Sequence, residues 1–334
     1  MRTDLPLRPF GTTGLELTPV GFGAWAIGGT GWSFAWGAQD DDESVAAIRH
    51  AVARGVNWID TAAVYGLGHS EEVVARALRD LPAERPFVFT KCGLVWDESR
   101  RQRRVADPDS IHREADASLR RLEVEQLDLL QIHWPSEDGT PVEESWAAML
   151  ELKAAGKARF VGVSNYSVAQ LGACESVGHV DSLQPPFSAV ARDAAADLLP
   201  WCAAAGTGVI VYSPMQSGLL TGSFDEERAA SLPEDDWRSR SPDFRGEGLQ
   251  RNLAVAGALR EVAEARGVPT PAAAVAWALA WPGVSAAIVG ARRADQVDGW
   301  LAAAGLELGS DELERVAAVI EETGAGSGPT RPPS

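Results

Sequence analysis

Short runs rich in β-branched and aromatic residues alternate along this chain with longer runs in which apolar residues recur every three or four positions. The β-rich runs fall at 20–25, 57–61, 87–91, 127–133, 160–164, 182–185, 208–213 and 286–290, and their lengths and flanking Gly, Pro and polar residues predict strands. Between them the segments 43–54, 70–79, 108–122, 142–155, 193–205 and 249–266 carry the helical period. Several open with acidic residues, which complement the positive end of a helix dipole. Eight strand–helix repeats without a break in composition predict a closed (β/α)8 TIM barrel over 1–334 as one domain, more readily than an open sheet.

Three segments fall outside that repeat. Residues 10–17 read as a β-hairpin turning at Thr13-Gly14 and suited to covering the barrel bottom. The connection from Met215 to about Gly246, after the seventh strand, is long and charged, the pattern of a lid or ligand clamp. The end, 323–334, is rich in Gly, Pro and Ser and is expected to be poorly ordered. A fourth segment, 267–291, carries no Asp, Glu, Lys or Arg, but Pro269, Pro271, Pro282 and Gly283 interrupt it. A buried helix followed by a strand fits it better than a membrane span.

Composition narrows the function classes. A formal net charge of -17 and a pI near 4.7 argue against a nucleic-acid surface, which needs clustered Lys and Arg. Cys92, Cys174 and Cys202 have neither metal-ligand nor Cys-x-x-Cys spacing, so they read as buried thiols of a reducing, cytoplasmic compartment. Cys92 draws attention because it follows Lys91. No apolar leader stands at the N-terminus, and no Walker or His-Glu-x-x-His pattern occurs. Gly21-Phe-Gly-Ala-Trp-Ala26 approximates a dinucleotide fingerprint, but a Gly/Trp loop follows it in place of a helix.

The candidate chemistry lies where strand-like runs end. Asp60 closes one run, with Tyr65 just beyond it; Lys91 closes the next and His133 the one after. Barrel chemistry sits at the carboxyl ends of strands, and a charged group there has no use in a buried strand. An acid, a phenol, an ammonium and an imidazole together can protonate a carbonyl oxygen as hydride reaches its carbon. A Lys ammonium about 4 Å from a phenol is worth roughly 4 kcal/mol at an effective dielectric near 20, enough to lower the phenol's pKa before Asp60 is counted.

In these four residues, and in Val161-Gly-Val-Ser-Asn-Tyr166, Leu183-Gln-Pro-Pro-Phe187, Val211-Tyr-Ser-Pro-Met-Gln-Ser-Gly-Leu-Leu-Thr-Gly222 and Ile288-Val-Gly-Ala-Arg-Arg-Ala-Asp-Gln296, the chain resembles the aldo-keto reductases over nearly its whole length. The resemblance is greatest to the bacterial general-stress branch. It implies NADP(H)-dependent reduction of an aldehyde or ketone, with Tyr65 as proton donor, Asp60 holding Lys91 charged, and His133 orienting the carbonyl. It also implies Ser164, Asn165 and Gln184 on the nicotinamide carboxamide, Tyr212 stacked on its ring, and Ser213, Pro214, Met215, Gln216, Ser217 and Gly218 along the pyrophosphate. Ala24 and Trp25 would close the near side, beside Asp60. Gly290, Ala291, Arg292 and Gln296 would grip the adenosine 2'-phosphate, with Arg293 the neighbouring alternative. Two positions depart from the commoner pattern: Trp300 stands where an Asn often meets adenine, and Phe187-Ser188 replaces Tyr-Asn.

Trp25, Trp32, Trp36, Trp96 and Trp134 lie at or after strand ends and are candidate walls for a small carbonyl or sugar-like substrate. No metal site is expected, and no membrane or nucleic-acid partner. Two other functions keep the same four residues: an NADP-dependent sugar dehydrogenase working toward oxidation, and a cofactor-sensing barrel resembling the potassium-channel β subunits.

Overall fold

The computed structural model describes residues 5–32, 35–79, 81, 85–233 and 236–333. The first four residues of the N-terminal reading and the last residue of the tail lie outside them. Twelve strands occur among the described residues: β1 (Arg8–Pro9), β2 (Glu16–Leu17), β3 (Val20–Gly23), β4 (Trp58–Asp60), β5 (Phe87–Cys92), β6 (Leu94–Trp96), β7 (Gln102–Arg104), β8 (Leu127–Ile132), β9 (Ala158–Ser164), β10 (Ser182–Gln184), β11 (Gly208–Val211) and β12 (Ala286–Gly290). The helices are α1 (Asp41–Ala53), α2 (His69–Leu78), α3 (Pro108–Leu122), α4 (Val142–Ala154), α5 (Val168–Glu175), α6 (Leu198–Ala205), α7 (Glu226–Ala230), α8 (Gly246–Arg266), α9 (Thr270–Leu279), α10 (Ala294–Leu301) and α11 (Ser310–Thr323).

Eight parallel strands close in the order β3-β4-β5-β8-β9-β10-β11-β12, with β12 pairing back to β3. Each lies within one of the eight runs expected from the sequence or extends it slightly. Because side chains alternate across a strand, every second residue points into the barrel. The inward column runs Trp58 then Asp60 on β4, Phe89 then Lys91 on β5, Leu129, Gln131 then His133 along β8, and Ile210 then Tyr212 along β11. The lower members form one apolar cluster, Trp58, Phe89, Leu129, Ile210 and Ile288, with Phe10, Leu15 and Leu17 of the N-terminal hairpin plugging it from below. Gly21 is required in this layer, since a Cβ there would lie 2.1 Å from the Trp58 ring. The outward residues pack on the surrounding helices in the larger core.

Several expectations are corrected. The 193–205 segment is a 3-10 turn, Asp193–Ala195, followed by α6, because Asp197 has a non-helical backbone. The 215–246 connection is partly structured: it holds α7 and several 3-10 turns around its own cluster of Leu219, Phe224, Phe244 and Leu249. The hairpin β6–β7 was not foreseen, its strands being only three residues each. The Gly/Pro-rich end lies beside buried Arg192, whose backbone N–H donates to Ser327 O at 3.0 Å. No described helix is long and apolar enough to cross a membrane.

Candidate active site

Above the apolar plug the inward residues become polar, and four of them converge. Lys91 Nζ lies 2.5 Å from Asp60 Oδ1, 2.9 Å from Thr61 O and 3.4 Å from the Tyr65 hydroxyl. Lys91 and Asp60 are buried, whereas Tyr65 and His133 are partly open at the barrel mouth. Their rings meet edge to face at 5.6 Å between centroids. Tyr65 reaches this place by a tight turn in which Gly66 adopts φ +63; a Cβ there would lie 2.1 Å from Gly28 O, so the turn seats directly against the loop after β3.

The electrostatics correct one expectation. The Tyr65 phenol is pushed well above the ordinary tyrosine pKa, first by burial and then by Asp60. Lys91 does not reverse this, because its charge is offset by the carboxylate bonded to it. Burial also lowers the Lys91 pKa, opposed by Asp60 and Glu71, and raises that of Asp60, opposed by Lys91 and Gln184. His133 is pushed well below the ordinary histidine range by burial, then by Lys91 and Arg104. At neutral pH the site therefore presents a protonated phenol and a neutral imidazole, two uncharged hydrogen-bond donors beside a compensated ion pair.

The nicotinamide-side residues form a linked set. Asn165, at φ +63, donates to His133 O at 2.9 Å and accepts from the Tyr212 hydroxyl at 2.8 Å. Ser164 Oγ donates to Gln184 O at 2.7 Å, and Gln184 Nε2 donates across the barrel to Asp60 Oδ2 at 2.9 Å. The Tyr212 ring is half-buried at the mouth. Ala24 is buried, its N–H on Asp60 O at 2.8 Å. Beyond β11 the backbone turns left-handed at Ser213, Gln216, Ser217 and Gly218. Pro214 is buried, Met215 is partly so, and Gln216 accepts from Ser188 at 3.1 Å.

The last strand leads to residues that are already engaged. Gln296 Oε1 accepts from the backbone N–H groups of Arg292 at 2.7 Å and Arg293 at 3.3 Å. The Arg292 guanidinium bonds Gln39 Oε1 and the carbonyls of Trp36 and Ala38. Arg293 pairs with exposed Asp295. Gly290 is exposed and Ala291 buried. Trp300 is buried on α10, and Phe187 is buried against Trp277 and Trp281.

Of the five candidate wall tryptophans, three are brought together. Trp36 lies 4.8 Å from Trp25, Trp25 lies 6.4 Å from Trp32, and Trp32 lies 5.8 Å from Tyr65, all between ring centroids. Trp134 instead stacks under Arg104 at 4.5 Å, and Trp96 stands on the β6–β7 hairpin, lining a cleft with Gly66 and Leu67. Sequence reasoning missed Arg238, which lies 5.2 Å over the Trp36 ring and donates to Ser217 O at 3.1 Å. Its signal was only the charge of the long connection. Cys92 is inert by comparison: burial and Glu114 push its thiol well above the ordinary range. All three cysteines are free and buried. Among the described residues no cluster of His, Cys, Asp or Glu could hold a metal ion.

Known proteins resemble this chain over most of its length. The chain is 34% identical over 313 residues to aldo-keto reductase YhdN of Bacillus subtilis, covering 93% of this chain and 92% of that protein. It is 38% identical over 231 residues to the NADH-specific methylglyoxal reductase of Escherichia coli, covering 66% of this chain and 70% of that protein. The solved glycerol dehydrogenase AKR11B4 of Gluconobacter oxydans superposes with a TM-score of 0.88 at 37% identity, covering 98% of each chain. An aldo/keto reductase from Klebsiella pneumoniae, solved with NADP and acetate, gives 0.70 at 27% identity, again with 98% of each chain. The Aldo/keto reductase family profile matches residues 19–321, and the chain belongs to that family, an oxidoreductase acting on carbonyl and CH–OH groups.

Proposed function

We propose that the protein reduces a small aldehyde or ketone to the alcohol with NADPH, Tyr65 giving the proton. The observation that carries this reading is the hydrogen-bonded line Asp60–Lys91–Tyr65 at the barrel mouth, with His133 edge-on to the phenol. A reduced nicotinamide, when bound, supplies hydride to the carbonyl carbon. The donor set fits such a group: the Ser164, Asn165 and Gln184 polar atoms end adjacent strands, the half-buried Tyr212 ring stands beside them, and the left-handed 213–218 turn leads outward.

The protein's own residues then manage the oxygen. Neutral His133 donates a hydrogen bond to the carbonyl, and Tyr65 stands protonated across the physiological range. As charge develops on the oxygen, it becomes a far stronger base than a phenolate and takes the Tyr65 proton. The resulting phenolate faces the Lys91 ammonium, whose charge Asp60 preserves in a buried setting. Trp25, Trp32 and Trp36 form an apolar wall that limits water at the reacting carbon. Arg238, from the connection after β11, and Arg292 both reach Trp36 and close the cofactor side; we assign Arg292 to the 2'-phosphate when that group is bound.

A second reading, oxidation of a polyol or sugar, is favoured by the likeness to a glycerol dehydrogenase. The same groups would run in reverse with Tyr65 as base. Its raised pKa makes that direction an alkaline one. Turnover of an aldehyde panel with NADPH and of polyols with NADP, each from pH 6 to 10, tests both readings. Reduction is expected to dominate below pH 8, and no NADPH consumption with any carbonyl would reject the first reading.

A further inference from the structure

Gln184 and Asp60 stand on opposite parts of the barrel wall, 124 positions apart in sequence, yet share a 2.9 Å hydrogen bond in which both side chains are almost fully buried. An ionised carboxylate only accepts hydrogen bonds, so the amide nitrogen must face Asp60. That fixes the amide orientation and leaves Gln184 Oε1 as the end available to a cofactor amide. The other Asp60 oxygen accepts from Lys91, and Lys91 spends its remaining donors on Thr61 O and the Tyr65 hydroxyl.

We propose that Gln184 is a positioning residue for proton transfer: through Asp60 it keeps Lys91 charged and aimed at the Tyr65 hydroxyl. The proposal rests on the reading of Tyr65 as proton donor. Burial favours a neutral Asp60, and hydrogen bonds to the carboxylate oppose that. Lys91 supplies one bond and Gln184 the other. Loss of the Gln184 donor raises the Asp60 pKa and loosens the anion that holds Lys91 protonated, so the Lys91 pKa falls. Other titratable groups facing this pair are Glu71 of α2, which favours the Lys91 charge, His133 just after β8, and Tyr65, whose charge would also raise the pKa of Tyr212 just after β11.

The test uses the full chain with Gln184→Leu, Gln184→Glu and Tyr65→Phe. The kcat of aldehyde reduction is followed from pH 5 to 10 at saturating NADPH, and NADPH Kd is read by quenching of tryptophan fluorescence. Gln184→Leu is expected to narrow the kcat profile from both sides, each limb moving by about one to two pH units. The acid introduced by Gln184→Glu can donate to Asp60 only while protonated, so this variant should turn over near pH 5.5 and lose activity as pH rises. If Gln184 serves the cofactor alone, NADPH Kd rises while both kcat profiles overlay that of the parent, and the proposal is overturned. Should Gln184→Leu fail to fold, the pH response of Gln184→Glu decides. Thermal melts of Gln184→Leu, Asp60→Asn and the double variant give a readout independent of turnover: non-additive shifts support the coupling, and additive shifts reject it. Tyr65→Phe separates the two readings, since near-parent turnover there removes the proton-donor role, whereas an inactive Tyr65→Phe with an unmoved Gln184→Leu profile removes only the role of Gln184.

Discussion

Arg292 Nη1 donates to the Trp36 carbonyl at 3.2 Å, joining the segment after β12 to the loop that carries the tryptophan wall. The same guanidinium bonds Ala38 O and Gln39, and Gln39 Nε2 returns a hydrogen bond to Arg292 O at 3.0 Å. A 2'-phosphate at this place must win the guanidinium from neutral carbonyls, which a charge-assisted fork can do. Arg292→Ala is therefore expected to weaken NADPH binding by about ten- to a hundredfold, the cost of one charge-assisted contact, and NADH binding much less. Arg293→Ala, removing an exposed pair, should change neither. Titration of both cofactors against tryptophan fluorescence checks this, and equal losses for NADPH and NADH would confine Arg292 to holding the 36–39 segment.

Tyr65→Phe should preserve cofactor affinity and lower reduction turnover by at least about a hundredfold, the scale of a lost general acid. Lys91→Met should hurt comparably, by leaving Asp60 buried without its cation and the phenolate without its donor. The raised Tyr65 and lowered His133 pKa values have a further consequence. The kcat of the parent protein should be flat from pH 6 to 8, with His133 neutral and Tyr65 protonated throughout. A limb in that window that disappears in His133→Gln would contradict the neutral imidazole.

The barrel and its four converging residues were legible because both depend on local pattern. Period-two alternation puts Asp60 two positions beyond Trp58, and Lys91 two beyond Phe89, on the inward face, so a polar residue ending an apolar run is already aimed at the mouth. What could not be read depends on partners far apart in the chain. Nothing near Gln184 announces Asp60, and nothing near Arg292 announces Trp36. The direction of the Tyr65 shift is hidden for a related reason: the Lys91 charge alone would lower the phenol's pKa, whereas burial and the Asp60 charge, both set by the fold, raise it. Trp300 and Phe187, the two departures from the family pattern, are both buried in the core, a placement that their positions in the sequence alone do not announce.

Behind β5 a second carboxyl responds to pH. Glu114 accepts from Gly93 N at 2.9 Å and Ser110 Oγ at 3.1 Å, and burial raises its pKa to about 7 against these bonds and the charges of Arg121 and Arg113. The folded protein thus holds this proton more tightly than the unfolded chain, whose glutamate titrates near 4.5. Stability contributed at this site is full below that value, falls as pH rises toward about 7, and is level above it. Glu114→Gln, which keeps an acceptor for Gly93 but has no proton to lose, should raise the melting temperature relative to the parent at pH 8 more than at pH 5. Melts at the two pH values decide it; a difference independent of pH would refute the shift.

The C-terminal segment should be structural despite its composition. Arg192, only 2% exposed, has no salt-bridge carboxylate among the described residues; its guanidinium donates to the carbonyls of Ala189 at 2.5 Å, Pro329 at 2.8 Å, Ala325 at 3.0 Å and Gly328 at 3.4 Å. Three of those four acceptors come from beyond α11. Truncation after Gly324 removes them and leaves a desolvated cation facing one carbonyl, although water entering the vacated space recovers part of the loss. A net cost of about 2 kcal/mol corresponds to a fall of roughly 3 °C in melting temperature for a domain of 334 residues. Arg192→Met in the truncated protein removes the cation that lost its partners, and should recover part of that fall, whereas the same change in the full chain strands all four carbonyls and should destabilise. Opposite signs for one substitution in the two backgrounds are the expected result. If Arg192→Met lowers the melting temperature equally in both, the tail is not what holds that charge.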